Sequence, residues 1–403
     1  MAIFPDLILA KSVRDRRGAG LTEYGLLAGL VAVTAIGAVS DAGDRITLVF
    51  TDTRAALEDA VVAGAASPDE GTSAPTTNPT PEPEAVFDCY DPGNVGSIAP
   101  PDATECASML IVDNTMLRGA GSGDTGSGDN SFSIVGPDGE AYTFADSERN
   151  VFTGQVTDMS HLFADTSFNG DIGYWNTKNV IDMEYMFYEA SVFNQDIGGW
   201  DVSNVTSMRD VLSYAISFNQ DIGEWDVSNV ENLRAAFYEA SAFNQDIGGW
   251  DVSSVTNMEF TFSGAVAFNQ DIGGWDVSNV TNMKDVLSYT DTFNQDIGEW
   301  DVSNVENLRA AFYYADAFDQ DIGGWDVSSV TNMQFTFGEA DAFDQDIGNW
   351  DVSSVTNMSD AFRDASAFNQ DLSGWDVDAV TSCAVFATNT PQWTEPKPAL
   401  GDC

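Results

Sequence analysis

The sequence FNQDIGGWDVSSVTNMEFTFSGAVA occupies residues 243–267 and recurs with few changes along the second half of the chain. A fixed period of this size is typical of repeat proteins, in which each unit buries its apolar residues only by stacking on its neighbours. Function is then expected on an extended surface rather than in a deep catalytic cleft. Tryptophan marks the period, with 25 residues between successive members: Trp175, Trp200, Trp225, Trp250, Trp275, Trp300, Trp325, Trp350 and Trp375.

The apolar residues of one repeat predict its local structure. The segment I-x-x-W-x-V alternates as a short strand does, whereas the spacing from Met258 through Phe262 to Ala265 is helical. The pattern therefore predicts an α/β solenoid, a stack of 25-residue coils that each hold one short strand and one or two helical turns. The columns expected to point inward are represented by Ile247, Trp250, Val252, Val255, Met258, Phe262, Ala265 and Phe268.

These repeats resemble the leucine-rich repeats of BspA-like bacterial surface proteins. The sequence FNQDIGGWDVSNVTNM, with 25 residues per unit, is similar to the type common in mycoplasma lipoproteins, and the resemblance covers about residues 156–390. It implies a leucine-rich-repeat-like stack at the cell surface, with adhesion to host or matrix in some members. An unknown protein or glycan ligand is expected on the repeat surface. The family brings no catalytic residues with it.

The charge balance excludes several classes of partner. The formal net charge is -49, from 64 acidic and 15 basic residues, and such a chain repels nucleic acid. His161 is the one histidine, and no Ser-His-Asp set or phosphate-binding glycine loop accompanies it. We therefore do not expect an enzyme.

The N-terminal residues have the pattern of a membrane segment. A basic cluster that includes Arg16 and Arg17 precedes residues 21–39, where Glu23 is the sole charge. About 20 apolar residues suffice to span a bilayer, and the basic cluster would stay cytoplasmic. A single long apolar helix is predicted over residues 19–66, with the membrane crossed by residues 21–39.

The sequence RRGAGLTEYGLLAGLVAVTAIGAV resembles the N-terminus of Flp-type (type IVb) pilins. The resemblance implies a leader, residues 1–18, that a prepilin peptidase removes after Gly18. Ala19 then becomes the first residue, and Glu23 and Tyr24 stand at the fifth and sixth mature positions. Glu23 would pair with the terminal amine of a neighbouring pilin subunit, which gives a buried charge a partner.

Flp-type pilins normally end soon after this segment, whereas most of the present chain follows it. The resemblance therefore favours a minor or tip pilin that displays the repeats on the cell surface. The alternative is a membrane-anchored surface repeat protein that never enters a pilus. Both interpretations place the protein outside the cell, held by the cytoplasmic membrane or by a pilus.

The remaining segments complete the domain organisation. Residues 67–85 are rich in Pro, Thr and Ser and are predicted to be an extended linker. Residues 86–150 are expected to form an N-terminal cap with a small β-hairpin, or else a separate ligand-binding module. The repeats extend over residues 151–390, and residues 391–403 form a C-terminal cap.

The cysteines flank the repeats instead of lying within them. Two disulfides at the ends of the stack, in an oxidising compartment, are predicted, with zinc as the competing interpretation. Bridges Cys89–Cys106 and Cys383–Cys403 would close the first and last parts of the array.

An aspartate follows each tryptophan and is expected to point outward from the coil. A column of such carboxylates favours either bridging Ca²⁺ ions, Asx-type turns within each coil, or solvation in a salty environment. No other cofactor is expected. We call this column the aspartate ladder; its members are Asp201, Asp226, Asp251, Asp276, Asp301, Asp326, Asp351 and Asp376.

Overall fold

Regular secondary structure is confined to the segment that precedes the repeats. The structure, a computed structural model, describes residues 87–121 and 131–401, which all belong to one compact unit, Pro83–Cys403. The predicted leader, apolar helix and linker lie outside the described residues. Within the described ranges no helix is long and apolar enough to cross a membrane. The elements are β1 (Leu110–Ile111), α1 (Asn114–Ala120), β2 (Ser133–Val135), β3 (Ala141–Thr143) and β4 (Val151–Phe152), with a 3-10 helix at Pro92–Asn94.

These short elements pack against the first coil. β1 pairs in parallel with β4, and β2 pairs with β3 as an antiparallel hairpin whose turn contains Gly139 at φ 84°. The Asp113 side chain accepts a hydrogen bond from the Met116 amide and so caps α1. Phe144 is fully buried, and its ring contacts Trp175 edge-on at 5.7 Å between ring centroids. The segment therefore covers the apolar end of the repeat stack.

The coils stack on one another without regular strands or helices. One residue of each coil forms an isolated parallel bridge with the equivalent residue of the next, from Asp158↔Asp182 and Asp182↔Ser207 onward to Asn357↔Ser382. Over the described residues after Phe152 no strand or helix is present. The prediction of an α/β solenoid built from strand-helix coils is therefore wrong.

The backbone amides explain why the helical spacing does not produce a helix. Every second amide leaves the coil: the Ala235 amide donates to the Glu259 carbonyl of the next coil at 2.8 Å. The amides between them close tight turns within the coil, as the Ala236 amide does on the Leu233 carbonyl at 3.0 Å. An α-helix needs every amide to bond four residues back. In a run of turns, as in a helix, apolar residues recur every three or four positions. Half of the backbone amides of such a run, however, donate to carbonyls of the neighbouring coil.

The inward columns are confirmed by burial. In the coil at residues 243–267, Trp250 is 4% exposed, and Ile247, Met258 and Phe262 are 0% exposed. The tryptophan also ties neighbouring coils together, because the Trp250 Nε1 donates to the Ile222 carbonyl at 3.1 Å. Each tryptophan thus buries a large apolar ring and satisfies its one polar atom.

A glycine in each coil allows this close stacking. A Cβ added at Gly223 would lie 2.6 Å from the Asp246 carbonyl oxygen of the next coil. In the coil at residues 368–392 the equivalent residue is Ser373, and the chain that follows this coil departs from the repeat sequence. The glycine column therefore reflects backbone approach between coils.

Candidate recognition surface

One surface of the coils changes in both charge and size from coil to coil. We number each coil from its first phenylalanine, so that the coil at residues 243–267 has Glu259, Phe260, Ser263 and Gly264 at columns 17, 18, 21 and 22. The tryptophan, valine and phenylalanine columns of the core hold one or two residue types, whereas these four columns hold acids, bases, tyrosines, phenylalanines and small residues. We call the side chains of these four columns, in the eight coils of residues 168–367, the variable face.

The backbone of the variable face is unusual. Columns 18 and 22 adopt left-handed conformations in coil after coil, with φ 52° at Asp210 and 57° at Tyr214, and φ 53° at Ala235 and 56° at Glu239. Glycine or asparagine normally occupies such positions. Side chains of very different chemistry share one backbone geometry here, so the backbone does not dictate which residue is present.

Positive charge in the repeats is concentrated on this face. Five of the six Lys and Arg residues of positions 151–390 belong to columns 17 and 21, and Lys178 is the exception. In columns 17, 18 and 21 these five bases are matched by five acids, and column 22 adds four further acids. With five bases and nine acids, the face has a formal net charge of -4, and it differs from the rest of the repeats, apart from Lys178, in holding both signs of charge. The five bases are Arg209, Arg234, Lys284, Arg309 and Arg363, and the five acids are Glu184, Asp210, Glu259, Asp285 and Asp360.

Ion pairs on the face connect neighbouring coils. The Arg234 Nη1 lies 3.0 Å from the Asp210 Oδ2, and the Lys284 Nζ lies 2.9 Å from the Glu259 Oε1. The Asp210 side chain is 8% exposed, and its burial raises the pKa of that carboxyl while the Arg234 charge opposes the rise. These ion pairs hold the arginine side chains in place. The Arg309 side chain is nevertheless 22% exposed and the Arg234 side chain 30% exposed.

Aromatic rings fill the spaces between these ion pairs. Tyr214 and Tyr238 meet edge-on at 5.0 Å between ring centroids, and Tyr289 stacks on Tyr314 at 5.0 Å. These rings are half-buried, so part of each remains open to solvent. Tyrosine and arginine together are the residues most enriched at the energetic centres of protein interfaces.

The repeats identify the family. A family model described as "Mycoplasma protein of unknown function, DUF285" matches residues 140–248, 219–318 and 290–395, which together make up more than half of the chain. The chain belongs to the DUF285 family. No curated protein and no solved structure shows a significant match. The DUF285 match covers the repeats. It shows neither the BspA-like resemblance nor the pilin resemblance, and both stay predictions.

In this DUF285 protein the aspartate ladder forms turns. Each member is exposed and accepts a hydrogen bond at 3.1 Å from the backbone amide two residues later. The serine hydroxyl at that position also donates to the Asp226 and Asp351 carboxylates at 2.6 Å, which lowers the pKa of both groups. Among the described residues no three His, Cys, Asp or Glu side chains are grouped to hold a metal ion. The geometry favours the Asx-turn interpretation, and the calcium site stays a prediction.

The other predicted residues fall in different places. Cys89 and Cys106 form a disulfide, with their Cα atoms 6.1 Å apart. Cys383 is also disulfide-bonded, but Cys403 lies outside the described residues, so the bridge between them stays a prediction. His161 stacks on Tyr185 of the variable face at 4.7 Å between ring centroids. The predicted processing residues lie outside the described residues: Gly18, Ala19, Glu23 and Tyr24.

The variable face was not among the predicted sites. Candidate chemistry was expected in columns that all coils share, such as the aspartate ladder, and shared columns mainly reflect what stacking requires. The available signal was the distribution of bases and tyrosines, since five of the six Lys and Arg residues of positions 151–390 and most tyrosines of the repeats fall in columns 17, 18, 21 and 22.

Proposed function

We propose that this DUF285 protein is a cell-surface binding protein that recognises a protein or matrix ligand through its variable face. The observation that carries the proposal is that charge, aromatic character and size change from coil to coil on this face, whereas the tryptophan, valine and phenylalanine columns of the core stay nearly constant. A surface that served only to close the stack would repeat as the core does. Adhesion is the activity that suits an extended surface of this kind.

Composition supports the same surface. The variable face combines half-buried tyrosines with ordered arginines, and it holds five of the six Lys and Arg residues of positions 151–390. These bases offer acidic groups of a ligand partners that the rest of the repeats, apart from Lys178, does not provide.

An internal duplication supports contact at more than one point. The Arg234–Asp210 pair and its Arg309–Asp285 equivalent, 75 residues later, both have an N–O distance of 3.0 Å. Two like patches on one rigid stack can engage two like epitopes, and such linkage raises avidity without any new contact.

Swaps between columns test the recognition surface. Tyr214→Glu combined with Tyr289→Glu places at column 22 the residue that Glu239 already provides at the same φ, so the stack is expected to remain folded. The matched control, Asp201→Asn with Asp276→Asn, changes the aspartate ladder in the same two coils. Adherence of cells producing the full chain to protein-coated surfaces is expected to fall with the tyrosine pair alone. Equal adherence by both variants and the wild type would contradict the proposal.

For display we propose that the Flp-like N-terminal segment makes the protein a minor or tip subunit of a type IVb-like pilus. The support is the residue-by-residue match of Gly18, Ala19, Glu23 and Tyr24 to the pilin motif. The alternative, a membrane-anchored surface protein outside any pilus, keeps the same binding surface.

Mass spectrometry of the mature chain separates the two forms of display. A chain that starts at Ala19 and is released with sheared pili is expected of a pilin. A chain that starts at Met1, or that stays with the membranes after shearing, would exclude the pilus role and leave the anchored form.

A further inference from the structure

A cleft lies between the N-terminal cap and the first coil. Its volume is about 430 Å³, within the range of roughly 300–1,000 Å³ typical of small-molecule sites. Its apolar lining consists of Met109, which is half-buried, and of Val151 and Phe152, which are 0% and 3% exposed. Tyr90 and Lys178 lie among its polar residues. The cleft is separate from the variable face.

The first coil departs from the repeat pattern at this cleft. Where the eight later coils have aspartate after tryptophan, the first has Asn176, and two positions on, where they have Ser or Asp, it has Lys178. Packing accounts for Asn176. Its backbone amide donates to the Thr153 hydroxyl at 3.0 Å, and its side-chain Nδ2 donates to the Tyr90 hydroxyl at 2.8 Å. The exchange to lysine also changes the charge, because Lys178 is the one basic side chain of the repeats that lies outside the variable face.

The Cys89–Cys106 disulfide organises the polar side of the cleft. Tyr90 follows the first cysteine and Glu105 precedes the second, so the cross-link holds both residues on the same wall. The Tyr90 hydroxyl donates to the Glu105 carboxylate. The Lys178 Nζ lies 3.7 Å from the centre of the Tyr90 ring. A side-chain hydrogen bond with Tyr90 raises the pKa of the lysine. One ammonium and one carboxylate are thus fixed around a single phenol.

This arrangement discriminates between ligand classes. A simple anion would meet Glu105, and a simple cation would meet Lys178. A sugar ring that stacked on Tyr90 would compete with Lys178, whose Nζ already lies over one face of that ring. A small zwitterion with an apolar substituent satisfies both charges and the apolar side together.

We propose that the cleft binds an apolar α-amino acid. Lys178 would receive its carboxylate, Glu105 would receive its ammonium group, and its side chain would pack on Met109, the accessible apolar residue of the lining. This site does not depend on the adhesion function, and neither proposal requires the other.

Isothermal titration calorimetry of the full chain tests the site with L-leucine, N-acetyl-L-leucine and L-leucinamide. Leucine is expected to bind at one site per chain. Each analogue lacks one charge and is expected to bind at least about tenfold more weakly, the loss that follows from one missing charge-assisted hydrogen bond.

Variants drawn from the chain itself provide the control. Lys178→Ser restores the residue of most later coils and is expected to weaken leucine binding at least about tenfold, with an unchanged melting temperature. Lys397→Ser removes a similar contact, an ammonium 4.9 Å from the Trp393 ring at the other end of the stack, and is expected to bind leucine normally. Absence of leucine binding to the wild type, equal binding by Lys178→Ser, or equal binding of N-acetyl-L-leucine would each overturn the proposal.

Discussion

Two phenylalanines of one coil offer a direct test of which columns form the core. Phe262 is 0% exposed and stacks on Phe237 at 5.4 Å and on Phe268 at 4.2 Å between ring centroids. Phe260, two residues earlier, lies half-buried on the variable face at φ 60°, with the Lys284 Nζ 4.6 Å from its ring centre. The same substitution, Phe→Ala, therefore has different expected costs at the two positions.

The magnitude follows from burial. Phe262→Ala is expected to lower the free energy of unfolding by about 3–5 kcal/mol, because it leaves a cavity in a core with few voids. Phe260→Ala loses a cation–π contact worth about 0.5–1 kcal/mol and only part of an apolar surface. Alanine also carries a smaller side chain into the left-handed conformation. We therefore expect a cost near 1 kcal/mol for Phe260→Ala.

Urea unfolding of the Pro83–Cys403 unit, followed by tryptophan fluorescence, measures both costs. Because stacked repeats can unfold in parts, hydrogen exchange at the amides of residues 243–267 should locate the loss in that coil and its neighbours. A cost for Phe260→Ala that equals the cost for Phe262→Ala would refute the assignment of column 18 to the surface.

Three further predictions concern the turns and the cap. Hydrogen bonds from Ser353 lower the pKa of Asp351 in the folded protein. These bonds stabilise the fold fully above the pKa of Asp in the unfolded chain, about 3.9, and the stabilisation is lost as the pH falls through the lower folded value. Ser353→Ala should therefore lower the melting temperature at pH 7 and have less effect as the pH falls below about 4; an effect that grew with acidity would contradict this. Millimolar Ca²⁺ should not raise the melting temperature, and a rise would restore the calcium interpretation of the aspartate ladder. Replacing Cys89 and Cys106 by Ala, which removes a bridge with a sequence separation of 17, should lower the free energy of unfolding by about 3 kcal/mol, as measured by urea unfolding. An unchanged midpoint would show that the cap keeps its structure without the cross-link.

Residue types predicted the core well because burial depends on them directly. Trp250 and Phe262 are apolar at a fixed period, and any stacked arrangement buries them. The local backbone was not predictable in the same way, since turns and a helix share the spacing from Met258 to Ala265. The hydrogen-bond acceptor of each backbone amide decides between turns and a helix. The acceptor of the Ala235 amide is the Glu259 carbonyl, 24 residues away in the sequence.

The cleft illustrates a second limit of periodicity. Asn176 and Lys178 stand out in the sequence as departures from the repeat, but their meaning depends on Tyr90. The Asn176 Nδ2 bonds the Tyr90 hydroxyl across a sequence separation of 86 residues. No internal repeat indicates which residue of the cap will meet the first coil, so this contact could be learned only from the folded chain.

The left-handed columns connect the stacking pattern to recognition. Column 22 accepts Gly264 at φ 76°, and its equivalent in the last coil is Asn389 at φ 60°, so the residues best suited to this backbone are tolerated there. A non-glycine residue in this conformation costs roughly 1–2 kcal/mol. A chain selected only for stability would carry glycine or asparagine throughout the column. It carries Tyr214, Tyr289 and Glu239 instead. Tyr214 and Tyr289 each contact another tyrosine of the face, which offsets part of this cost, and the parts of both rings that stay open to solvent are where we propose that the ligand binds.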